Sequence, residues 1–80
     1  MIKAYVLIVA NPGATKAVYT ALKNVKGVVD CHEVMGPYDI VAEIKVEDLA
    51  DVPPILSDHI RTIPGVESTT SLVTFPEKPV

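Results

Sequence analysis

The feature that most constrains the fold is an internal repeat, in which two segments 38 residues apart end a helix and begin a strand in the same way. The first reads LKNVKGV from Leu22, and the second reads IRTIPGV from Ile60. In each segment, two apolar residues complete the last helical turn, and a glycine ends the helix because it tolerates a positive φ. A valine then begins the next strand. The repeat therefore predicts two βαβ halves in one chain.

Apolar periodicity places the remaining elements. The predicted strands are, in chain order, residues 2–10, 28–35, 38–46 and 66–75. One predicted helix covers residues 14–25. A second begins near Asp51, and Leu49 and Ile63 belong to its apolar spacing of three and four. Pro53 and Pro54 are tolerated only in its first turn, where N–H groups have no intrahelical partner. We predict that the tail, residues 76–80, is frayed.

The element order βαββαβ predicts an α+β, ferredoxin-like fold. Right-handed crossovers in both halves place the two helices on one face of a four-stranded antiparallel sheet. Eighty residues leave no room for a second folding unit, so residues 1–80 are assigned to a single domain.

The face of the sheet that the helices leave open is too apolar for a small monomer. Apolar residues make up 49% of the chain, and the first strand is apolar on both faces. A second copy that packs the same face against it would form an isologous homodimer, a dimeric α+β barrel. The predicted dimer-interface residues are Tyr5, Leu7, Val9, Val41, Val73 and Phe75.

Charge and composition exclude several classes of function. The net charge is −3 and the basic residues are scattered, so the sequence predicts no direct nucleic-acid binding. A single cysteine excludes an internal disulfide and fits a reducing cytoplasm, where we expect the protein to be located. The apolar run after Lys3 is too short to span a bilayer, and we expect no membrane association.

The central and C-terminal segments carry a family resemblance. VMGPYDIVAEIKVEDL begins at Val34, and IRTIPGVESTTSLVTF ends at Phe75. A glycine, an aromatic-Asp pair, a helix ending in an apolar-Pro-Gly-Val step and a Thr/Ser-rich last strand resemble the effector-binding (RAM) module of Lrp/AsnC transcription regulators. The family's regulators carry an N-terminal helix-turn-helix domain, whereas this sequence resembles the stand-alone module without a DNA-binding domain.

The resemblance implies dimers that assemble into rings and bind an amino acid or a related small molecule near dimer–dimer contacts. It also implies regulation through protein contacts, with full-length Lrp/AsnC-type regulators as candidate partners. Asp39 is the expected partner of the ligand's ammonium group, and we expect Asp39→Ala to lose the ligand while the dimer survives. The predicted ligand-binding residues are Met35, Gly36, Tyr38, Asp39, Thr70 and Ser71.

No catalytic site, metal site or cofactor is predicted. Cys31 and His32 are adjacent in a strand and so point to opposite faces, and no metal-binding motif includes His59. Cys31 lacks an identifiable base, and Asp30 and His32 share a face only as i, i+2 neighbours.

Three alternatives share the fold plan. An ACT-type amino-acid-binding domain would use the loop around Gly13. A dimeric α+β-barrel enzyme would use His32, although no motif supports turnover. An RNA-recognition domain needs stacking aromatic residues on its central strands, and the third strand offers only Tyr38, so this alternative is discarded.

Overall fold

Four strands form one antiparallel sheet in the order β2-β3-β1-β4, which confirms the predicted ferredoxin-like arrangement. The computed structural model describes residues 1–75, so the prediction for residues 76–80 lies outside the described residues. The strands are β1 Ile2–Ala10, β2 Val28–Glu33, β3 Ile40–Val46 and β4 Val66–Val73. The first strand has the predicted bounds, whereas the other three are shorter than predicted.

Two helical segments cover one face of the sheet. Helix α1 spans Thr15–Leu22, shorter than the predicted 14–25. The second helical segment combines a 3-10 turn, Leu49–Asp51, an α-helical turn, Val52–Pro54, and a π-helical stretch, Ile55–Ile60.

The second helical segment differs from the regular helix that the sequence predicts. The Asp48 side chain accepts a hydrogen bond from the N–H of Ala50 at 3.2 Å and so caps the first turn, while Pro53 and Pro54 supply no N–H. The N–H of Arg61 donates to the carbonyl of Leu56, five residues back, at 2.8 Å, which is the π-helical pattern. Leu49 is exposed rather than part of the buried face, which corrects the prediction.

The core lies between the sheet and the two helical segments. Alternate residues of β1 and β3 supply the sheet side, and every fourth residue of the second helical segment supplies part of the other side. The central buried residues are Ala4, Val6, Ile8, Ile40, Ala42, Ile44, Val18, Leu22, Val52, Leu56 and Ile60. Because one cluster joins residues from both helical segments, both lie on the same face, as predicted.

The face turned away from the helices is called here the outer face. Antiparallel partners point to the same side of a sheet, so the register decides which residues share it. Tyr5 lies opposite Leu72, and Leu7 lies between Val41 and Thr70. These pairs place Tyr5, Leu7, Val9, Val41, Thr70 and Leu72 on the outer face.

The register corrects the predicted grouping of Val73 with Leu7. Val73 pairs with Ala4, a core residue, and its side chain therefore lies on the helix-covered face. Val73 and Phe75 line a separate apolar groove of about 500 Å³ together with Ile2 and Leu49. Phe75 follows the end of β4 and is almost fully exposed. Leu72, which is 52% exposed, takes the place on the outer face that the sequence analysis gave to Val73.

Candidate functional site

The turn between β2 and β3 is organised by Asp39. The N–H of Asp39 donates to the carbonyl of Ile8 at 2.8 Å, and its carbonyl accepts from the N–H of Val34 at 2.9 Å. Its carboxylate atom Oδ2 accepts from the N–H of Ala10 at 2.8 Å. Asp39 therefore fastens the turn to the end of β1 with its side chain, a structural role that the sequence analysis missed.

The second carboxylate oxygen of Asp39 remains available. Among residues 1–75, no donor bonds to Oδ1. The side chain is half-buried, so an ammonium group placed on Oδ1 would meet a carboxylate whose position is already fixed by its bond to Ala10. Asp39 can therefore serve both the fold and a cationic ligand.

The tip of the turn projects away from the domain. Met35 is fully exposed, and Tyr38 is half-buried. Gly36 has φ +140°, and a Cβ at this position would meet no atom within 4 Å. The glycine is required by its backbone conformation, because L side chains rarely adopt this φ. The neighbouring atoms of the described chain would leave room for a side chain at this position.

The predicted ligand residues of β4 do not join the turn within one chain. Thr70 lies on the outer face beside Leu7, whereas Ser71 lies opposite Val6 on the other face. Strand β1 separates both from β3 and its turn. A ligand that touched all the predicted residues would therefore need more than one copy of the chain, and the predicted place at a contact between dimers remains a prediction.

The outer face has an apolar centre and a charged rim. Tyr5, Leu7, Val9 and Val41 are each half-buried in the single chain. At one end Lys3 Nζ lies 3.8 Å from Glu43 Oε1. Along β2, which is an edge strand, Asp30 and His32 lie opposite Glu43 and Val41. An apolar centre with a polar rim is the usual composition of a protein–protein interface.

Asp30 and His32 form a hydrogen-bonded pair on this rim. His32 Nε2 lies 3.0 Å from Asp30 Oδ2, and Asp30 Oδ1 accepts the N–H of Cys31 at 2.9 Å. The bond from the Cys31 N–H, followed by the bond from His32, lowers the pKa of Asp30 below its ordinary value. Both side chains are solvent-exposed, and of the two only Asp30 borders a cavity in residues 1–75, an open one of about 230 Å³ that Tyr19, Lys23 and Cys31 also line.

No group of three or more potential metal ligands occurs within residues 1–75. Nor does any helix in the described part of the chain have the length and apolar character needed to cross a membrane.

Cys31 is a buried titratable side chain on the edge strand β2, and it points into the core opposite Ala42. Burial raises the pKa of its thiol above the ordinary value of 9.0, and Lys23 offsets this in part. The unfolded chain therefore loses this proton at a lower pH than the folded chain does.

The shifted thiol predicts a pH dependence of stability. As the pH rises above about 9, the unfolded state binds fewer protons than the folded state, and the free energy of unfolding falls. The added slope is at most about 1.4 kcal/mol per pH unit. Urea unfolding between pH 8 and pH 10 should show a steeper loss for the wild type than for Cys31→Ala. Parallel pH profiles would contradict the assignment.

The fold and the turn define a class: a small α+β domain with an open apolar sheet face and a polar turn that can hold a ligand. Residues 3–78 match the family model described as the Lrp/AsnC ligand binding domain. The chain belongs to this family. This result favours the Lrp/AsnC resemblance over the ACT-type alternative.

The individual relatives agree with the family. An uncharacterised helix-turn-helix transcriptional regulator of Pyrococcus furiosus is 33% identical over 75 residues, which cover 90% of this chain and 50% of that protein. The leucine-responsive regulatory protein of Escherichia coli is 28% identical over 76 residues, which cover 91% of this chain and 46% of that protein. The chain thus spans half or less of the length of these curated relatives.

One of the similar solved structures matches this chain over the full length of both. A protein of Thermus thermophilus is 31% identical, with a TM-score of 0.93 and full coverage of both chains. A Neisseria meningitidis transcriptional regulator, solved as a complex with L-methionine, has a TM-score of 0.84 at 14% identity over 99% of this chain and 53% of its own. The latter similarity shows the fold alone.

Proposed function

We propose that this domain is a non-catalytic module that binds an amino acid or a related small molecule and forms homodimers that assemble into rings. In this proposal it modulates amino-acid-responsive transcription regulation through contacts with Lrp/AsnC-type regulators, in the cytoplasm. The match of residues 3–78 to the family's ligand-binding domain carries the proposal. The Neisseria regulator with L-methionine, and a Mycobacterium tuberculosis regulator also complexed with L-methionine, support the ligand class.

The geometry of the 36–39 turn supports its role in ligand binding. An amino acid presents an ammonium and a carboxylate close together, so its site needs an acceptor beside donors. Asp39 offers the free Oδ1 as the acceptor, and the exposed turn backbone offers donors. Pro37 has no N–H and cannot serve as one of them. Exposed Met35 can cover an apolar ligand side chain.

The outer face supports the homodimer. The half-buried residues Tyr5, Leu7, Val9 and Val41, with exposed Leu72, form an apolar area that a second copy can cover. A further contact, at the exposed turn, would then join dimers into a ring. No DNA contact is proposed for these 80 residues, because their net charge is −3.

Replacing Asp39 with asparagine tests the ligand site. Asparagine keeps an oxygen that can accept from the Ala10 N–H but removes the charge that would hold an ammonium group. A hydrogen bond to a charged group contributes roughly 1.5–3 kcal/mol, so we expect affinity to fall by about ten- to a hundredfold. The melting temperature should change little. Calorimetric titration with each of the twenty amino acids measures the effect.

The structure refines the expectation for Asp39→Ala. This variant should lose the ligand and also lose roughly 1 kcal/mol of stability, because it leaves the Ala10 N–H without its partner. Asp51→Asn is the matched control, since Asp51 is exposed at the start of the second helical segment. If Asp39→Asn binds as tightly as the wild type, the site lies elsewhere. If no amino acid binds the wild type, the ligand class is wrong.

A further inference from the structure

A second cavity lies where the second helical segment leads into β4. It has a volume of about 310 Å³ and is lined by Arg61, Val66, Glu67, Ser68 and Thr69. This volume is at the lower end of the range for small-molecule sites. Strand β1 separates the cavity from β3 and the 36–39 turn, because Ala10 pairs with Val66 while Asp39 bonds to Ala10 from the opposite side.

Arg61 is held in position at this cavity by a neighbouring hydroxyl. Its Nε donates to Thr69 Oγ1 at 3.1 Å, and Thr69 is half-buried on the helix-covered face. With Nε occupied, the two terminal NH2 groups remain for a ligand. No carboxylate in residues 1–75 lies within 4.0 Å of the guanidinium group. A planar guanidinium with free NH2 groups is well suited to bind a carboxylate through two parallel hydrogen bonds.

Glu67 lines the same cavity but is not paired with Arg61. A cationic group and an anionic group thus border one small space without neutralising each other. The hydroxyl groups of Ser68 and Thr69 add further polar atoms. This arrangement complements a zwitterion, whose carboxylate and ammonium are separated by a single carbon atom.

We propose that the cavity is a second binding site for a free α-amino acid, with the ligand's carboxylate on Arg61 and its ammonium on Glu67. Thr69 is a positioning residue that fixes the guanidinium. The inference rests on the ligand class of the proposed function but not on the 36–39 turn. Arg61 and Asp39 can therefore be tested separately.

Arg61 is the only arginine in the sequence, so an ¹⁵N-labelled full chain gives a single arginine Nε–Hε signal in an NMR spectrum. We expect L-alanine to move this signal along a saturating curve at constant ionic strength. Acetate should move it less, because it lacks the ammonium that Glu67 would hold. An unchanged signal, or an equal shift with sodium chloride, overturns the site.

Glu67→Gln separates a zwitterion site from a simple anion site. We expect this variant to weaken L-alanine binding by about tenfold, because a charged hydrogen bond is lost, and to strengthen acetate binding. If both ligands bind more tightly, Glu67 is only a competitor for Arg61, and the proposed ligand class for this cavity is wrong.

Three further variants complete the test. Thr69→Val should weaken L-alanine binding while the charge of the site stays the same, and unchanged affinity would overturn the positioning role. Lys26→Gln, which removes one exposed positive charge elsewhere, should have no effect. Asp39→Asn should leave the Arg61 signal and its titration unchanged. If Asp39→Asn abolishes the shift, the ligand binds at the turn and not in this cavity.

Discussion

Leu7→Lys is expected to convert the proposed homodimer into a monomer. Leu7 lies at the centre of the outer face, between Val41 and Thr70, and is half-buried even in the single chain. In an isologous dimer that covers this face, the substitution buries one ammonium group from each copy, and the residues beside Leu7 on the two neighbouring strands, Val41 and Thr70, offer no carboxylate. An uncompensated buried charge costs roughly 3 kcal/mol or more, which corresponds to a dissociation constant at least about a hundredfold higher.

Light scattering at micromolar concentration measures the effect. Ala17→Lys adds the same charge on the exposed surface of α1 and should leave the assembly intact. Circular dichroism, which reports secondary structure, distinguishes dissociation from unfolding. We expect an unchanged spectrum, because Leu7 is outside the core between the sheet and the helical segments. A wild type that scatters as a monomer of 8.6 kDa would end the proposal of a homodimer.

Gly65→Ala is expected to lower the free energy of unfolding by about 3 kcal/mol. Gly65 has φ +99°, where an L side chain costs roughly 1–2 kcal/mol. A Cβ there would lie 2.8 Å from the Cβ of Ala14 and 3.1 Å from Cγ2 of Val18. The Cβ of Ala14 is attached directly to the backbone and cannot rotate away, so overpacking adds roughly 1–3 kcal/mol.

Gly13→Ala is the matched control that separates the steric contact with Ala14 and Val18 from the cost of the positive φ. Gly13 also has a positive φ, +83°, but a Cβ there meets no atom within 4 Å. It should therefore show only the conformational cost, roughly 1 kcal/mol. Urea unfolding at one fixed protein concentration compares the two, since assembly couples to stability. Equal losses for both variants would show that the contact with Ala14 is relieved at little cost.

The sequence predicted well those features that depend on local periodicity. Alternation in β1 placed Ala4, Val6 and Ile8 on one face, and the structure buries all three completely. The spacing of Val52, Leu56 and Ile60 predicted one buried face of a helix, and this face is present. The helix-to-strand steps at Gly27 and Gly65 also lie where the internal repeat placed them. In each case a residue and its near neighbours contain the required information.

The sequence predicted less well those features that depend on pairing between distant strands. It placed Val73 on the same face as Leu7, whereas the structure places Leu72 there and turns Val73 to the helix-covered face. That choice depends on the register of β4 against β1, which also shifts at an irregularity between Val9 and Ala10. A shift of one residue in this register moves every side chain of a strand to the other face, and the alternation of apolar residues alone does not determine the register.

The sequence by itself determined the order of elements, the buried side of β1 and the place of Asp39 beside a glycine turn. The tertiary structure alone decided the surroundings of Asp39 and of Arg61. Asp39 bonds to Ala10, 29 residues away, and Arg61 bonds to Thr69 across the gap between a helical segment and a strand. Periodicity is a property of neighbouring residues, whereas a hydrogen bond between distant segments exists only after packing has brought its two atoms within about 3 Å of each other.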